Sequence, residues 1–395
     1  MKILLVSDYS NLAGGAEVQL QMLREGLRRR GHDARLLAST ARPPGGAGFA
    51  DYECLGTTSR FRTMLQSFNP WAFFALRRVL GEFRPDVVHV TLFLTQLSPT
   101  ILPLLRGTPS LFYAVWHRAV CPRGTKMHPD GTPCDITWGN GCFRARCLPW
   151  RDWPPLMLQR ALWRRWRSAF DRTVANSVAT KRQLEEEGFD VAEVIWPGVP
   201  VLPLGRPLAS VPTVTFAGRL VREKGVDVLL SAFSEVVKRL PSARLLLVGD
   251  GPERSALGQQ VRGLGLAQRV EMTGHLPPED TQRRLAGTWV QAVPSRWSEP
   301  FGMVATEAMM RGTAVVASNT GGLPEIVQHG RTGLLVPPGD AESLAAALLR
   351  LLQDPLESDR MGREARAIAV GTFGVEAHVD RFIESYRAIC GTGAS

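Results

Sequence analysis

The chain lacks any apolar run near the ~20 residues that a membrane-spanning helix requires. Its start, "MKILLVSDYS", does not run through a long apolar segment to a small-residue cleavage site, so the expected location is cytoplasmic, with the inner membrane face as an alternative workplace. Several motifs are missing too: Asp-x-Asp, His-Glu-x-x-His, Gly-x-Ser-x-Gly, a P-loop, and Gly-x-Gly-x-x-Gly between strand and helix. Their absence removes support for a metal-bound nucleotide, serine hydrolysis and dinucleotide redox chemistry. No internal repeat, low-complexity tract or heptad run occurs either, which argues against solenoid and coiled-coil architectures.

Cysteine is sparse, with 6 in 395 residues, yet Cys121, Cys134, Cys142 and Cys147 fall close together. Their spacings match no tight Cys-x2-Cys knuckle. Free thiols are the first expectation, with a zinc site or two disulfides as alternatives. The net charge of +10, from 47 Lys and Arg against 37 Asp and Glu, fits nucleic acid, an acidic surface or a phosphorylated ligand and does not choose among them. Between Arg123 and Arg172 there are ten basic residues and four acidic ones.

What is present is a strict alternation of extended and helical patterns. Lys2 to Ser7, Ala16 to Gly31 and Asp33 to Ala38 read as strand, helix and strand. Asp86 to Val90, Ser110 to Trp116 and Arg172 to Asn176 continue the strands, with Pro99 to Leu105 and Val178 to Gly188 helical. The stretch "WPGVPVLPLGRPLASVPT" from Trp196 to Thr213 holds five prolines and two glycines and marks a domain boundary. Beyond it the alternation restarts at Thr213. The expectation is an α/β protein of two doubly wound, Rossmann-like domains, 1–198 and 206–372, with helix 373–390 packing back on the first. Two such domains facing each other would enclose a cleft.

Chemistry-bearing residues gather at the ends of the expected strands. In "GRLVREKG", Gly218 to Gly225, Arg219 and Lys224 bracket a glycine turn between a strand and a helix, a setting suited to a diphosphate. The alternative is a solvated basic turn. "NLAGGAE", Asn11 to Glu17, places Gly14 and Gly15 in a similar turn, with Glu17 in the first helical turn.

In "SRWSEPFGMVATEAMMRG", Pro300 keeps Glu299 in a loop and leaves the N–H groups of Phe301 and Gly302 at a helix start. Glu307 falls inside that helix among Val304, Ala305, Ala308 and Met309. An unpaired carboxylate there costs on the order of several kcal/mol, so it needs a donor: ribose hydroxyls on one reading, a salt bridge or a polar helix face on the other. "NTGGLPEIV" adds Gly321 and Gly322 in a turn that brings backbone near a ligand. His117 ends the strand "SLFYAVWH", and His89 ends "DVVH".

These residues resemble the GT-B glycosyltransferases of family 4. "GGAE", "FAGRLVREKG", "LLLVGDGP", "EPFGMVATEAMMRG" and "SNTGGLPEIV" follow that family's order, with the E-x7-E element its most specific mark. The resemblance implies a GT-B fold, retaining transfer of a sugar from a UDP- or GDP-sugar, and no required cofactor or metal. It implies that Arg219 and Lys224 neutralise the donor diphosphate, that Glu307 holds the ribose, and that Glu299 with Phe301 and Gly302 grips the sugar. Gly218, Gly249, Thr273, Met303 and Val304 complete the implied donor pocket. Gly14 and Gly15 would approach the phosphate and sugar, and His117 matches a histidine near the reacting sugar.

The implied partners are the nucleotide sugar and a hydroxyl acceptor on a glycan, a lipid-linked sugar or a small molecule, with no nucleic acid. Two departures bear on the acceptor: "VIWPGV" lacks the usual Asn before Gly198, and Thr91 stands where a subset of the family carries a second histidine. A nucleotide-sugar epimerase or phosphorylase on the same fold, or a two-domain sugar-binding protein, is the alternative reading. Peripheral membrane contact is a further expectation, from the mixed aromatics and arginines of "WPPLMLQRALWRRWRSAF". Its leucines and tryptophans equally suit a core.

Overall fold

The computed structural model describes residues 1–11, 14–42, 48–59, 61–205 and 207–391. They form two compact units, one joining Met1–Pro129, Asp135–Gly198 and the stretch from Val375, the other Asp130–Cys134 and Val199–Gly374. The first unit holds strands β1 (Lys2–Ser7), β2 (Asp33–Ser39), β3 (Tyr52–Cys54), β4 (Val87–Val90), β5 (Ser110–Ala114), β6 (Arg172–Ala175) and β7 (Glu193–Val194). The second holds β8 (Thr213–Ala217), β9 (Arg244–Val248), β10 (Val270–Gly274), β11 (Val290–Val293), β12 (Ala314–Ser318) and β13 (Gly333–Val336).

Helices α1 (Gly15–Arg29), α2 (Arg62–Leu65), α3 (Pro70–Phe83), α4 (Asn140–Arg144), α5 (Trp153–Trp166) and α6 (Val178–Glu186) belong to the first unit. The second carries α7 (Val226–Arg239), α8 (Arg254–Gly263), α9 (Pro278–Leu285), α10 (Met303–Met310), α11 (Leu323–Ile326), α12 (Ala341–Gln353) and α13 (Pro355–Thr372). The last helix, α14 (Val375–Gly391), is part of the first unit.

Both sheets are parallel. Their orders are β3-β2-β1-β4-β5-β6-β7 and β10-β9-β8-β11-β12-β13. In each, the chain runs outward from one central strand and then reverses, so the reversal falls between β1 and β4 and between β8 and β11. Helices cover both faces, which is why β1 is apolar throughout rather than alternating. Ile3 and Leu5 enter one core with Leu20, Leu27 and Phe382; Leu4 and Val6 enter the other with Leu76, Val79 and Phe112.

Helix α14 lies against α1, where Gly26 leaves room for it: a Cβ there would stand 2.5 Å from Val379 Cγ2. Arg29 pairs with Glu376 at 3.0 Å and Arg30 with Asp380 at 2.8 Å. Beneath them, buried His89 Nδ1 lies 2.6 Å from Tyr386 Oη, and His378 Nδ1 lies 2.7 Å from the Trp196 carbonyl. Burial pushes His89 down to about 3 and His378 to about 4. Both therefore fold neutral and take up protons on unfolding, so they weaken the fold as pH falls below the ordinary histidine range.

Pro99–Leu105 is helical, in the 3-10 form, with Pro103 inside it removing an N–H and crowding the preceding turn. In α5, Leu156, Gln159 and Trp163 face inward, and Trp163 packs on Phe93 and Phe112 and donates from Nε1 to the Ala119 carbonyl at 3.0 Å. Those side chains are core.

Tyr386→Phe leaves His89 Nδ1 buried without its hydroxyl partner, an expected loss of about 1–2 kcal/mol. Urea unfolding followed by far-UV circular dichroism should show a lower midpoint with an unchanged slope.

Candidate functional site

In a parallel α/β sheet, ligands bind beyond the carboxyl ends of the strands where the strand order reverses. In the second unit this point lies between β8 and β11, so the loops that follow them, Gly218–Gly225 and Pro294–Gly302, define the place. Their close approach depends on glycine. Gly225, at φ +66°, would carry a Cβ 2.0 Å from the Pro294 carbonyl oxygen, and Gly249, at φ +137°, one 1.9 Å from the Gly218 oxygen. No side chain fits at either position.

Glu299 is the centre of this place. It is 8% exposed, and its carboxylate accepts from Lys224 Nζ at 2.7 and 2.8 Å, Ser295 Oγ at 2.9 Å and Trp297 Nε1 at 2.7 Å. Burial alone would raise its pKa; the Lys224 charge and the three donors outweigh that and hold it below the ordinary glutamate value. Lys224 Nζ also lies 5.3 Å from the Trp297 ring centroid. Arg219, on the same loop, is exposed, and no ion pair to it is recorded among the described residues.

Sequence reasoning placed Lys224 and Glu299 in one pocket but with separate duties, and the structure pairs them directly. Ser295 and Trp297 went unnoticed, although both stand within four residues of Glu299 in the motif. Gly321 and Gly322 approach the Glu299 loop itself: Gly322 N–H donates to the Glu299 carbonyl at 2.7 Å, and a Cβ on Gly321 would meet that oxygen at 2.2 Å.

Helix α10 begins at Met303 behind Gly302, which sits at φ +124° and offers no side-chain cap, so the first-turn N–H groups of Met303 and Val304 have no intrahelical partner. Phe301 is buried, its ring 5.7 Å from that of Phe373. Glu307 is half-buried on α10, and among the described residues no hydrogen bond or ion pair to its carboxylate is recorded. Burial raises its pKa, with the charge of Arg311 opposing the rise. Burial likewise lowers Arg311 to about 10, while its Nη1 donates to Gln282 at 3.1 Å. Thr273 closes β10, its hydroxyl donating to the Gly274 carbonyl at 2.9 Å.

In the first unit the reversal falls between β1 and β4. There Asp8, unremarked in the sequence, is buried and accepts from Thr95 N and Oγ1, Gln96 N and Leu97 N at 2.6–2.9 Å, tying the loop after β1 to the loop after β4. Burial raises its pKa against the pull of these donors. A strand-end position was the available signal. Gly14 caps α1 in an extended conformation and Gly15 is its first residue; Leu12 and Ala13 of the same loop lie outside the described residues. His117 is buried, three residues past the end of β5 rather than at the strand end expected, and opens a short 3-10 turn. Thr91, just after β4, is buried, its hydroxyl without a partner among the described residues.

Among the described residues no group of three or more Cys, His, Asp or Glu side chains could hold a metal ion. The spacing between the four clustered cysteines spreads them over separate loops and α4 rather than one knuckle.

Two family descriptions divide the chain: Glycosyltransferase Family 4 matches residues 13–202 and Glycosyl transferases group 1 matches 209–368. The chain belongs to the family 4 glycosyltransferases. A sucrose-phosphate synthase from Thermosynechococcus elongatus superposes over 100% of both chains with a TM-score of 0.77 at 23% identity. The Anabaena protein HepE in complex with UDP and glucose gives 0.70 at 23% identity over 98% of this chain and 99% of that one. These likenesses show the GT-B fold.

Similar sequences include an alpha-D-kanosaminyltransferase of Streptomyces kanamyceticus, 32% identical over 45% of this chain and 46% of its own. A D-inositol 3-phosphate glycosyltransferase of Nocardia farcinica is 37% identical over 55% and 52%. The chain thus spans about half the length of these family relatives.

Because the native state retains a proton on Glu307 to a higher pH than the unfolded chain does, stability should fall as pH rises from the ordinary glutamate value through the raised one. Glu307→Gln removes that component. The difference between the two melting curves against pH, measured by calorimetry, should therefore grow across this window and then level off.

Proposed function

We propose that the chain is a retaining glycosyltransferase that moves a sugar from a UDP- or GDP-sugar to an acceptor hydroxyl without a bound metal. The observation that carries this reading is the Glu299–Lys224 pair at the reversal point of the second sheet, with unpaired Arg219 on the same turn and the half-buried Glu307 carboxylate on the next helix. Cations there suit a diphosphate, and a carboxylate lacking donors suits ribose hydroxyls. The presence of UDP in the HepE structure supports the same nucleotide class. The acceptor is a glycan, a lipid-linked sugar or a small molecule.

The chemistry follows from charge. As the bond to the anomeric carbon breaks, negative charge grows on the leaving β-phosphate, and Arg219, Lys224 and the N–H groups at the start of α10 stabilise it where it forms. Lys224 has three N–H donors and directs two at Glu299, which leaves one for a phosphate oxygen while the carboxylate keeps its Lys224, Ser295 and Trp297 partners. The carboxylate's free acceptor capacity then meets the sugar hydroxyls. Retention results if the departing phosphate takes the acceptor's proton on the face it leaves. In the first unit this reading assigns Gly14 and Gly15 to the phosphate and sugar, and His117 to the reacting sugar.

A thermal-shift series with UDP, GDP, ADP and dTDP tests nucleotide binding, and transfer of labelled sugar tests the activity. Stabilisation by none of them would overturn the proposal; epimerised donor or phosphorolysis without transfer would favour the rival enzymes. Arg219→Ala should leave the melting temperature unchanged and lower kcat about 100-fold. Lys224→Ala should lower both, because it leaves buried Glu299 without its cation, at a cost of roughly 3–5 kcal/mol. Equal melting losses in the two variants would contradict the assigned geometry.

A further inference from the structure

We propose that the outward face of α2 and α3 in the first unit is a docking surface for an anionic lipid bilayer. From Met64 to Trp71 the polarity is inverted, whereas α3 beyond it buries an apolar face of Ala72, Leu76, Val79 and Phe83. Met64, Phe68, Trp71 and Phe74 are 67, 60, 52 and 63% exposed, while Gln66, Ser67 and Asn69 between them are buried. Isolated exposed apolar residues are ordinary, but an unbroken outward stripe of large ones beside inward polar ones marks an interface.

The inversion is anchored. Gln66 Oε1 accepts from Arg118 Nη2 at 2.7 Å, Ser67 Oγ donates to the Pro155 carbonyl at 2.6 Å, and Asn69 Nδ2 donates to the carbonyls of Leu55 and Gln96 at 3.0 and 2.7 Å. Asn69 Oδ1 also caps α3 through the Ala72 N–H at 3.0 Å. Turning the apolar side chains inward would strand all these groups, so the segment is built to present them outward.

Charge selects the occupant. No acidic residue occurs between Glu53 and Glu82, whereas Arg62, Arg77 and Arg78 are exposed there. None of these three arginines has a carboxylate partner among the described residues. Two copies of the patch packed face to face about a twofold axis would bring these charges together, which disfavours self-association. Aromatic side chains flanked by unpaired arginines match the interface of an anionic bilayer, where rings enter the headgroup boundary and arginines meet phosphates.

The test is co-sedimentation of the full chain with sucrose-loaded vesicles of phosphatidylcholine mixed with phosphatidylglycerol, against vesicles of phosphatidylcholine alone. Binding should require phosphatidylglycerol and weaken with added salt. Phe68→Ser combined with Phe74→Ser should lower the partition coefficient at least about tenfold, with an unchanged melting temperature because both side chains are exposed. Arg77→Ser with Arg78→Ser should weaken binding and flatten its salt dependence. Equal binding to both vesicle types, or full binding by the phenylalanine double variant, would overturn the proposal. So would a dimer in sedimentation velocity that the phenylalanine variant dissolves in the absence of any vesicle binding.

Discussion

The loops that follow β8 and β11 in the second unit are organised around one buried ion pair. A carboxylate as enclosed as Glu299 is tolerated only with its charge met at close range, and Lys224 meets it from the loop of another strand. The two loops approach this closely because Gly225 lies on the Pro294 carbonyl, where a Cβ would stand 2.0 Å from the oxygen. Arg296 N–H, donating to the Glu223 carbonyl at 2.9 Å, adds a backbone tie between the same two loops. The pair therefore fixes where the Arg219 turn stands relative to the start of α10, before any ligand arrives. Preorganisation of this kind is what allows fixed charges to act on developing charge without first moving.

Glu307 makes the contrast that gives the arrangement meaning. It shares a motif with Glu299, yet one carboxylate has three side-chain donors and a depressed pKa while the other has none recorded and a raised one. Arg311 sits one helical turn on and acts only through space. A fold that sought only its own stability would pair both. Leaving one acceptor unsatisfied beside a satisfied one costs stability in the free protein.

Much of this was legible in the residues, and what was missed has a common cause. The alternation of apolar runs and helical periods fixed the α/β class and the strand positions, because parallel strands buried on both faces read as uninterrupted apolar segments. Local chemistry at strand ends pointed to Lys224, Glu299 and Glu307. The pairing of Lys224 with Glu299 was not legible, since 75 residues separate them and only the strand order brings them together. The same holds for Asp8, whose donors lie 87 to 89 residues away. Pro99–Leu105 is helical as its pattern indicates, and the proline inside it accounts for the 3-10 form.

The inverted polarity from Met64 to Trp71 was illegible for a different reason. Its periodicity is sound: Met64, Phe68 and Trp71 recur at helical spacing, and that spacing by itself assigns them inward. Tertiary hydrogen bonds to Gln66, Ser67 and Asn69 decide the opposite, because several satisfied polar groups outweigh the burial of side chains that a solvent or lipid boundary can also accommodate. Where local preference and global structure disagree in this way, and the disagreement is held by specific bonds rather than left loose, the conflict is a property of the surface. In α5, with its mixed tryptophans and arginines, the core reading holds for Trp163, while exposed rings occur in the neighbouring segment from Phe68 to Phe74, where tertiary bonds rather than spacing decide which side faces out.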